Sequence, residues 1–111
     1  MQNYSLRSPT QKRNDMKPLF IPLKTEFYEA FVSGAKDTEY RIYGPRWNER
    51  TCHLGRDVVI SKGYGKQARR TGTIVGFDAS YEPTLTDGWR ACYGNDSREK
   101  AACIRIELDA L

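Results

Sequence analysis

Apolar Leu19, Ile21 and Leu23 alternate with Phe20, Pro22 and Lys24, and this period of two predicts a first strand with one apolar face. Pro22 has no N–H to donate, so the strand is expected to be short or to lie at a sheet edge. The period then changes. Phe27, Ala30 and Phe31 fall at i, i+3 and i+4 on one side of a helix, with Thr25 as candidate N-cap and Glu26 and Glu29 towards its positive end. Gly34 supplies the stop.

Period two returns over residues 38–43, with Thr38, Tyr40 and Ile42 on one face and Glu39, Arg41 and Tyr43 on the other. Gly44-Pro45 breaks this second strand. A third strand is expected over residues 57–61 with Val58 and Ile60 inward, and a fourth over 71–77. The final strand carries Ala102, Ile104, Ile106 and Leu108 on one face. Residues 78–83 read as a turn, 84–93 as a weakly patterned stretch with a short helix around Trp89, and 94–100 as a polar loop. One helix after the first strand, followed by strands with short Gly-containing connections, predicts an α+β fold with a small, curved, mostly antiparallel sheet or barrel. A single clear helix disfavours the doubly wound nucleotide-cofactor folds, and no cofactor is expected.

Residues 1–17 have no apolar periodicity and read as a flexible basic arm, leaving 18–111 as one domain. The net charge of +4 changes meaning once located: Arg7, Lys12, Arg13 and Lys17 against Asp15 put +3 of it on the arm. The remainder is nearly neutral, so any nucleic-acid footprint there must be a local patch. With 39% hydrophobic and 29% charged residues and a mean hydropathy of −0.71, the chain suits a globular domain with a polar tail. It has no apolar run of membrane-spanning length. The first residues also lack a signal-peptide run, so cytoplasmic residence is the default expectation.

The three cysteines, Cys52, Cys92 and Cys103, form no Cys-x-x-Cys pair, and His53 is the single histidine, so a structural zinc site lacks ligands. The cysteines read as reduced thiols, with Cys103 expected in the core. Cys52 and His53 are adjacent, and neighbours on an extended chain point to opposite faces, which disfavours a nucleophile and base pair.

Three opposed charges, Lys36, Glu39 and Arg41, crowd the helix-to-strand junction. Glu39 and Arg41 lie two apart on a strand, so they project from one face with Lys36 at the preceding corner. They can converge either as a structural ion pair or as a pocket lining in which the carboxylate accepts hydrogen bonds or acts as a base, and the lysine as a nucleophile. A second group, Lys62, Tyr64, Lys66, Arg69 and Arg70 around Gly63 and Gly65, combines phosphate-neutralising cations with a stacking ring. It suits a nucleic-acid strand or, equally, a solvated hairpin tip. Trp47 with Arg46 and Arg50 can stack a base or cap the core, and Trp89 beside Arg90 is similar.

The run Leu23-Lys24-x-x-Phe27-x-x-Ala30-x-x-Ser33-Gly34-x-Lys36-x-x-Glu39-x-Arg41 resembles the ASCH domain of the PUA-like superfamily, whose core signature is Gly-x-Lys-x-x-Glu-x-Arg. Pro45-x-Trp47-x-x-Arg50, Gly55-Arg56, Val58 to Ile60 and Gly63-Tyr64 extend the likeness to small stand-alone ASCH proteins of bacteria and phages. The resemblance implies a PUA-like curved mixed sheet or barrel, a cleft beside the first helix, and binding of RNA or a modified nucleoside. Lys36, Glu39, Arg41, Trp47 and Arg50 are then the expected pocket. Some relatives deacylate acetylated cytidine with a lysine at the position of Lys36, a threonine where this chain has Glu39, and a distal glutamate for which Glu82 and Glu99 are candidates. Others are described as ribonucleases. An enzyme using Lys36 and Glu39, and an adaptor binding another protein, are the alternative expectations.

Overall fold

The computed structural model describes residues 17–94 and 99–111. It contains β1 (Leu19–Leu23), α1 (Thr25–Ser33), β2 (Thr38–Ile42), β3 (Asp57–Lys62), β4 (Arg69–Ser80), a 3-10 turn (Glu82–Leu85), α2 (Asp87–Tyr93) and β5 (Ala101–Leu108). The expected arm lies, apart from Lys17, outside the described residues, as does the middle of the loop 94–100.

The five strands form one mixed sheet in the order β1-β3-β4-β5-β2, curled into a half-barrel. β1 pairs parallel with β3, and every other pairing is antiparallel. The two strands flanking α1 therefore end up at opposite edges of the sheet. Pro22 sits on one of these edges, where its missing N–H costs the ladder nothing.

The concave side carries the core. Ile21, Val58, Ile60, Ile74, Ile104 and Ile106 present a β-branched surface that Tyr28 and Phe31 of α1 cover. The helix begins one residue earlier than expected. Lys24, not Thr25, is its N-cap, and the Lys24 carbonyl accepts from the amides of Phe27 and Tyr28 at 3.0 and 2.9 Å. Gly34 ends it at φ 86°, a left-handed conformation that a β-carbon disfavours.

β4 runs longer than its sequence pattern suggested, and a bulge explains why. The register with β5 slips between Ile74 and Gly76. Before the slip Gly72 and Ile74 face inward, and after it Phe77 shares a register position with the buried Ile104. The extra residue reverses the alternation, so a strict period of two stops at the bulge although the strand continues, and the local twist tightens the curl. Residues 78–80, expected in a turn, belong to this strand. The turn is the 3-10 segment after it, with Pro83 in its first turn.

Cys103 is not a core residue. It lies on the convex side and is half-buried, whereas Cys52 is the cysteine wholly enclosed in the core.

A β-carbon at Gly72 would sit 2.6 Å from the Glu107 carbonyl oxygen and 3.1 Å from the Leu108 Cα, both backbone atoms. At Gly76 the nearest atoms would all belong to the Arg105 side chain, the first 3.2 Å away. Gly72→Ala is therefore expected to destabilise by about 1–3 kcal/mol and Gly76→Ala by less, because a flexible arginine can move and a strand cannot. Urea unfolding of the two variants checks the order.

Candidate functional site

β2 is an edge strand whose charged residues face the inside of the half-barrel. Glu39 lies opposite Ile104 in the ladder and is 7% exposed, while Tyr40, next to it, is 39% exposed. An unpaired carboxylate at that depth would cost several kcal/mol, so the position holds only if partners come with it. Two do. The Arg41 Nε donates to Glu39 Oε2 at 2.7 Å, and the Lys36 Nζ stands 3.9 Å from Oε1.

Arg41 uses a second nitrogen elsewhere, donating from Nη2 to the Pro22 carbonyl at 2.7 Å. One guanidinium thus joins the two free edges of the sheet, β2 and β1, across the open side of the half-barrel. Its rigid fork makes two directed contacts that a lysine could not make together. Trp47 supports it from one face, with the guanidinium carbon 4.9 Å from the ring centroid.

Lys36 is placed by the helix end. After Gly34 the chain turns back so that the Lys36 amide donates to the Ala30 carbonyl at 3.1 Å. Its ammonium then lies 5.4, 5.6 and 5.1 Å from the ring centroids of Phe27, Phe31 and Tyr40. Three negative ring faces and one carboxylate hold the charge in place.

These side chains form one wall of a cavity of about 660 Å³, shared with Pro22, Leu23, Lys24 and Phe27. The 3-10 turn and α2 form the other wall, with Glu82, Thr86, Trp89, Cys92 and Tyr93. Thr86 caps α2, its hydroxyl accepting from the Trp89 amide at 3.2 Å. The rings of Trp89 and Tyr93 pack at 4.3 Å, and the Tyr93 hydroxyl reaches the Tyr40 carbonyl at 3.5 Å. Trp89 is 5% exposed, and among the described residues its indole N–H has no hydrogen-bond partner. Burial pushes the Tyr93 hydroxyl pKa up, with Arg41 opposing and Glu39 adding to the rise. That places the phenol in the field of the charged wall.

The remaining sequence candidates divide. Trp47 backs Arg41 without lining the cavity, and Arg50 is exposed and outside the lining. Lys62 is exposed and paired with Glu29 of α1 at 3.3 Å, and Arg70 donates to the Asp109 carbonyl at 3.1 Å. Tyr64, Lys66 and Arg69 are exposed at the β3–β4 hairpin. Of the two distal glutamates, Glu82 lines the cavity and Glu99 does not. Cys92 and Tyr93 were not legible as site residues, since their short helix carries too weak a pattern to predict its facing.

Cys52 and His53 form no reactive pair. The Cys52 thiol is enclosed in the core, and burial pushes its pKa up, away from a nucleophilic thiolate. The His53 Nδ1 lies 3.1 Å from the Leu54 carbonyl oxygen. Among the described residues no group of three or more His, Cys, Asp or Glu could hold a metal, and no helix is long and apolar enough to cross a membrane.

No protein-family model matches the sequence, and no curated protein matches it. Among solved structures, the chain is similar to the crystal structure of hypothetical protein PH0355, with a TM-score of 0.63 and 16% identity over 84% of this chain and 100% of that one. At that identity the likeness speaks to the fold alone: a curled, mixed half-barrel sheet.

Removing one partner of a fully buried ion pair costs about 3–5 kcal/mol. The Arg41 side chain is 18% exposed, so Arg41→Met is expected to destabilise by somewhat less, about 2–3 kcal/mol. The double variant Glu39→Gln with Arg41→Met should lose less than the sum of the single losses, because each change removes the other's reason to be charged. Chemical denaturation of the three proteins measures this. In a separate test, iodoacetamide followed by mass spectrometry should label exposed Cys92 quickly and Cys52 only in denaturant.

Proposed function

We propose that the chain is an ASCH-type domain of PUA-like fold that binds RNA or a modified nucleoside in the cavity between β2 and α2. The carrying observation is the convergence of Lys36, Glu39 and Arg41 with the rings of Phe27, Tyr40, Trp89 and Tyr93 on one cavity of about 660 Å³. A volume of this order falls within the range of small-molecule sites. Aromatic walls suit the faces of a base. A carboxylate fixed between cations suits its N–H donors, and the Lys36 ammonium suits a carbonyl or phosphate oxygen. The signature Gly34-x-Lys36-x-x-Glu39-x-Arg41 and the curled half-barrel support the family reading independently of each other.

Hydrolysis of RNA or of an acylated cytidine is the second reading, and Glu82 favours it. In the acylated-cytidine hydrolases that the sequence resembles, a lysine works with a distal glutamate, and here Glu82 lines the same cavity as Lys36 from the opposite wall. In this reading Glu82 accepts a proton from the attacking water, and Lys36 stabilises the oxyanion or protonates the leaving nitrogen. Glu39, in the threonine position, serves as the charge partner that holds Lys36.

Calorimetry with cytidine, acetylcytidine and short single-stranded RNA tests the binding reading. Saturable binding of at least one is expected, weakened roughly 10- to 150-fold in Lys36→Ala, the value of a charged hydrogen bond. The absence of saturable binding by all of them would sink it. Product analysis of the same mixtures tests the enzyme: turnover lost in both Lys36→Ala and Glu82→Gln supports catalysis, and binding without product leaves a reader.

A further inference from the structure

Outside the cavity, one exposed group combines rings and cations in an order that continues from the cavity wall. Phe20 and Pro22 share the convex face of β1, and Pro22 lines the cavity. They are two residues apart on a strand, roughly 7 Å. Over Phe20 lies the Arg69 guanidinium, 5.0 Å from the ring centroid, held there by its Nε donating to the Gly65 carbonyl at 3.2 Å. Tyr64 stands beside Phe20 with ring centroids 6.4 Å apart, and it is 81% exposed. The Gly63 amide donates to the Leu23 carbonyl at 2.8 Å, which ties this hairpin to β1. The Tyr64 ring and the Arg69 plane, both from the β3–β4 hairpin, therefore gather around Phe20 of the edge strand that also bounds the cavity.

Sequence alone placed Tyr64 and Arg69 on a hairpin tip and left Phe20 as the outer residue of a strand. Tertiary structure brings them together. No ion pair holds Lys66 or Arg69 among the described residues, and Lys24, which follows β1 directly, is exposed and lines the cavity. An exposed ring flanked by cations that no ion pair occupies offers a flat face and positive charge together, which matches a ligand carrying a flat ring and negative charge.

We infer that Phe20, Tyr64 and Arg69 form a second subsite, on which a single-stranded RNA stacks the nucleotide adjacent to the one held in the cavity. This rests on the cavity reading proposed above and narrows it from a free nucleoside to a strand. A base stacks on Tyr64 or on the Arg69 plane, while Lys24 and Lys66 neutralise the phosphates on either side. The chemistry is tolerant of base identity, so the cavity would select the base and the platform would supply affinity.

Anisotropy of a labelled short RNA of randomised sequence, alongside calorimetry with each common nucleoside monophosphate, reads the two sites separately. RNA should bind more tightly than any monophosphate. That gain should fall about fivefold or more in Tyr64→Leu and in Phe20→Leu, while monophosphate binding, which the platform does not contact, stays as in the parent chain. Leucine keeps the apolar packing and removes only the ring, and a thermal melt establishes that each variant is folded. If Phe20→Leu fails to fold, Tyr64→Leu, at an exposed position, carries the test alone. RNA binding unchanged in folded Tyr64→Leu overturns the platform and leaves the cavity reading standing. No monophosphate binding, together with RNA binding insensitive to Lys36→Ala, overturns the cavity reading and the adjacent placement with it. A polyglutamate peptide that competes as well as the RNA, with the same loss in Tyr64→Leu, also overturns the platform, since a carboxylate chain has no base to stack.

Discussion

A half-barrel has two free edges, and in this chain a single arginine joins them. Arg41 reaches from β2 to the Pro22 carbonyl on β1 while its other nitrogen holds the buried Glu39 carboxylate. Each contact makes the other possible. Without Arg41 the Glu39 carboxylate would be buried with one distant cation, and the edge carbonyl of β1 would lose its side-chain donor. The clamp also fixes where the cavity lies, because the wall it stiffens is the one that Lys36 and Phe27 extend.

The arrangement of β2 is costly for stability on its own terms. An edge strand normally points its charges outward as protection against further pairing. Here Glu39 and Arg41 point in, and Tyr40, although 39% exposed, keeps its ring beside the Lys36 ammonium at the cavity. Inward charge on an edge strand is one known device against aggregation, and in this chain that charge also gathers around an open cavity. Aromatic rings hold Lys36, Trp47 supports Arg41, and Glu39 links the two, so the charged wall is organised before any ligand arrives. Preorganised charge is what a binding or catalytic site requires, because no reorganisation is then needed when the ligand enters.

The opposite wall is built differently. The 3-10 turn and α2 are short, capped by Thr86, and packed through Trp89 and Tyr93 against the cavity. The two walls divide the work. One carries fixed charge on a sheet, and the other carries rings on a short helix, with Glu82 as its acidic contribution.

Much of this was legible in the residues themselves. The alternation of Leu19, Ile21 and Leu23, the helical spacing of Phe27, Ala30 and Phe31, the stop at Gly34 and the alternating last strand are local patterns that residues close in sequence specify through backbone geometry. The same-face placement of Glu39 and Arg41 follows from the period of two, and it held. What the tertiary structure alone decided is everything that depends on closure. The bulge that reverses the phase of β4, the burial of Cys52 in place of Cys103, the meeting of Arg41 with Pro22 nineteen residues away in sequence, and the approach of Glu82 and Tyr93 to Lys36 all arise when the sheet curls and its edges meet. Local periodicity sets which way a side chain points. Only the global curl sets what it points at.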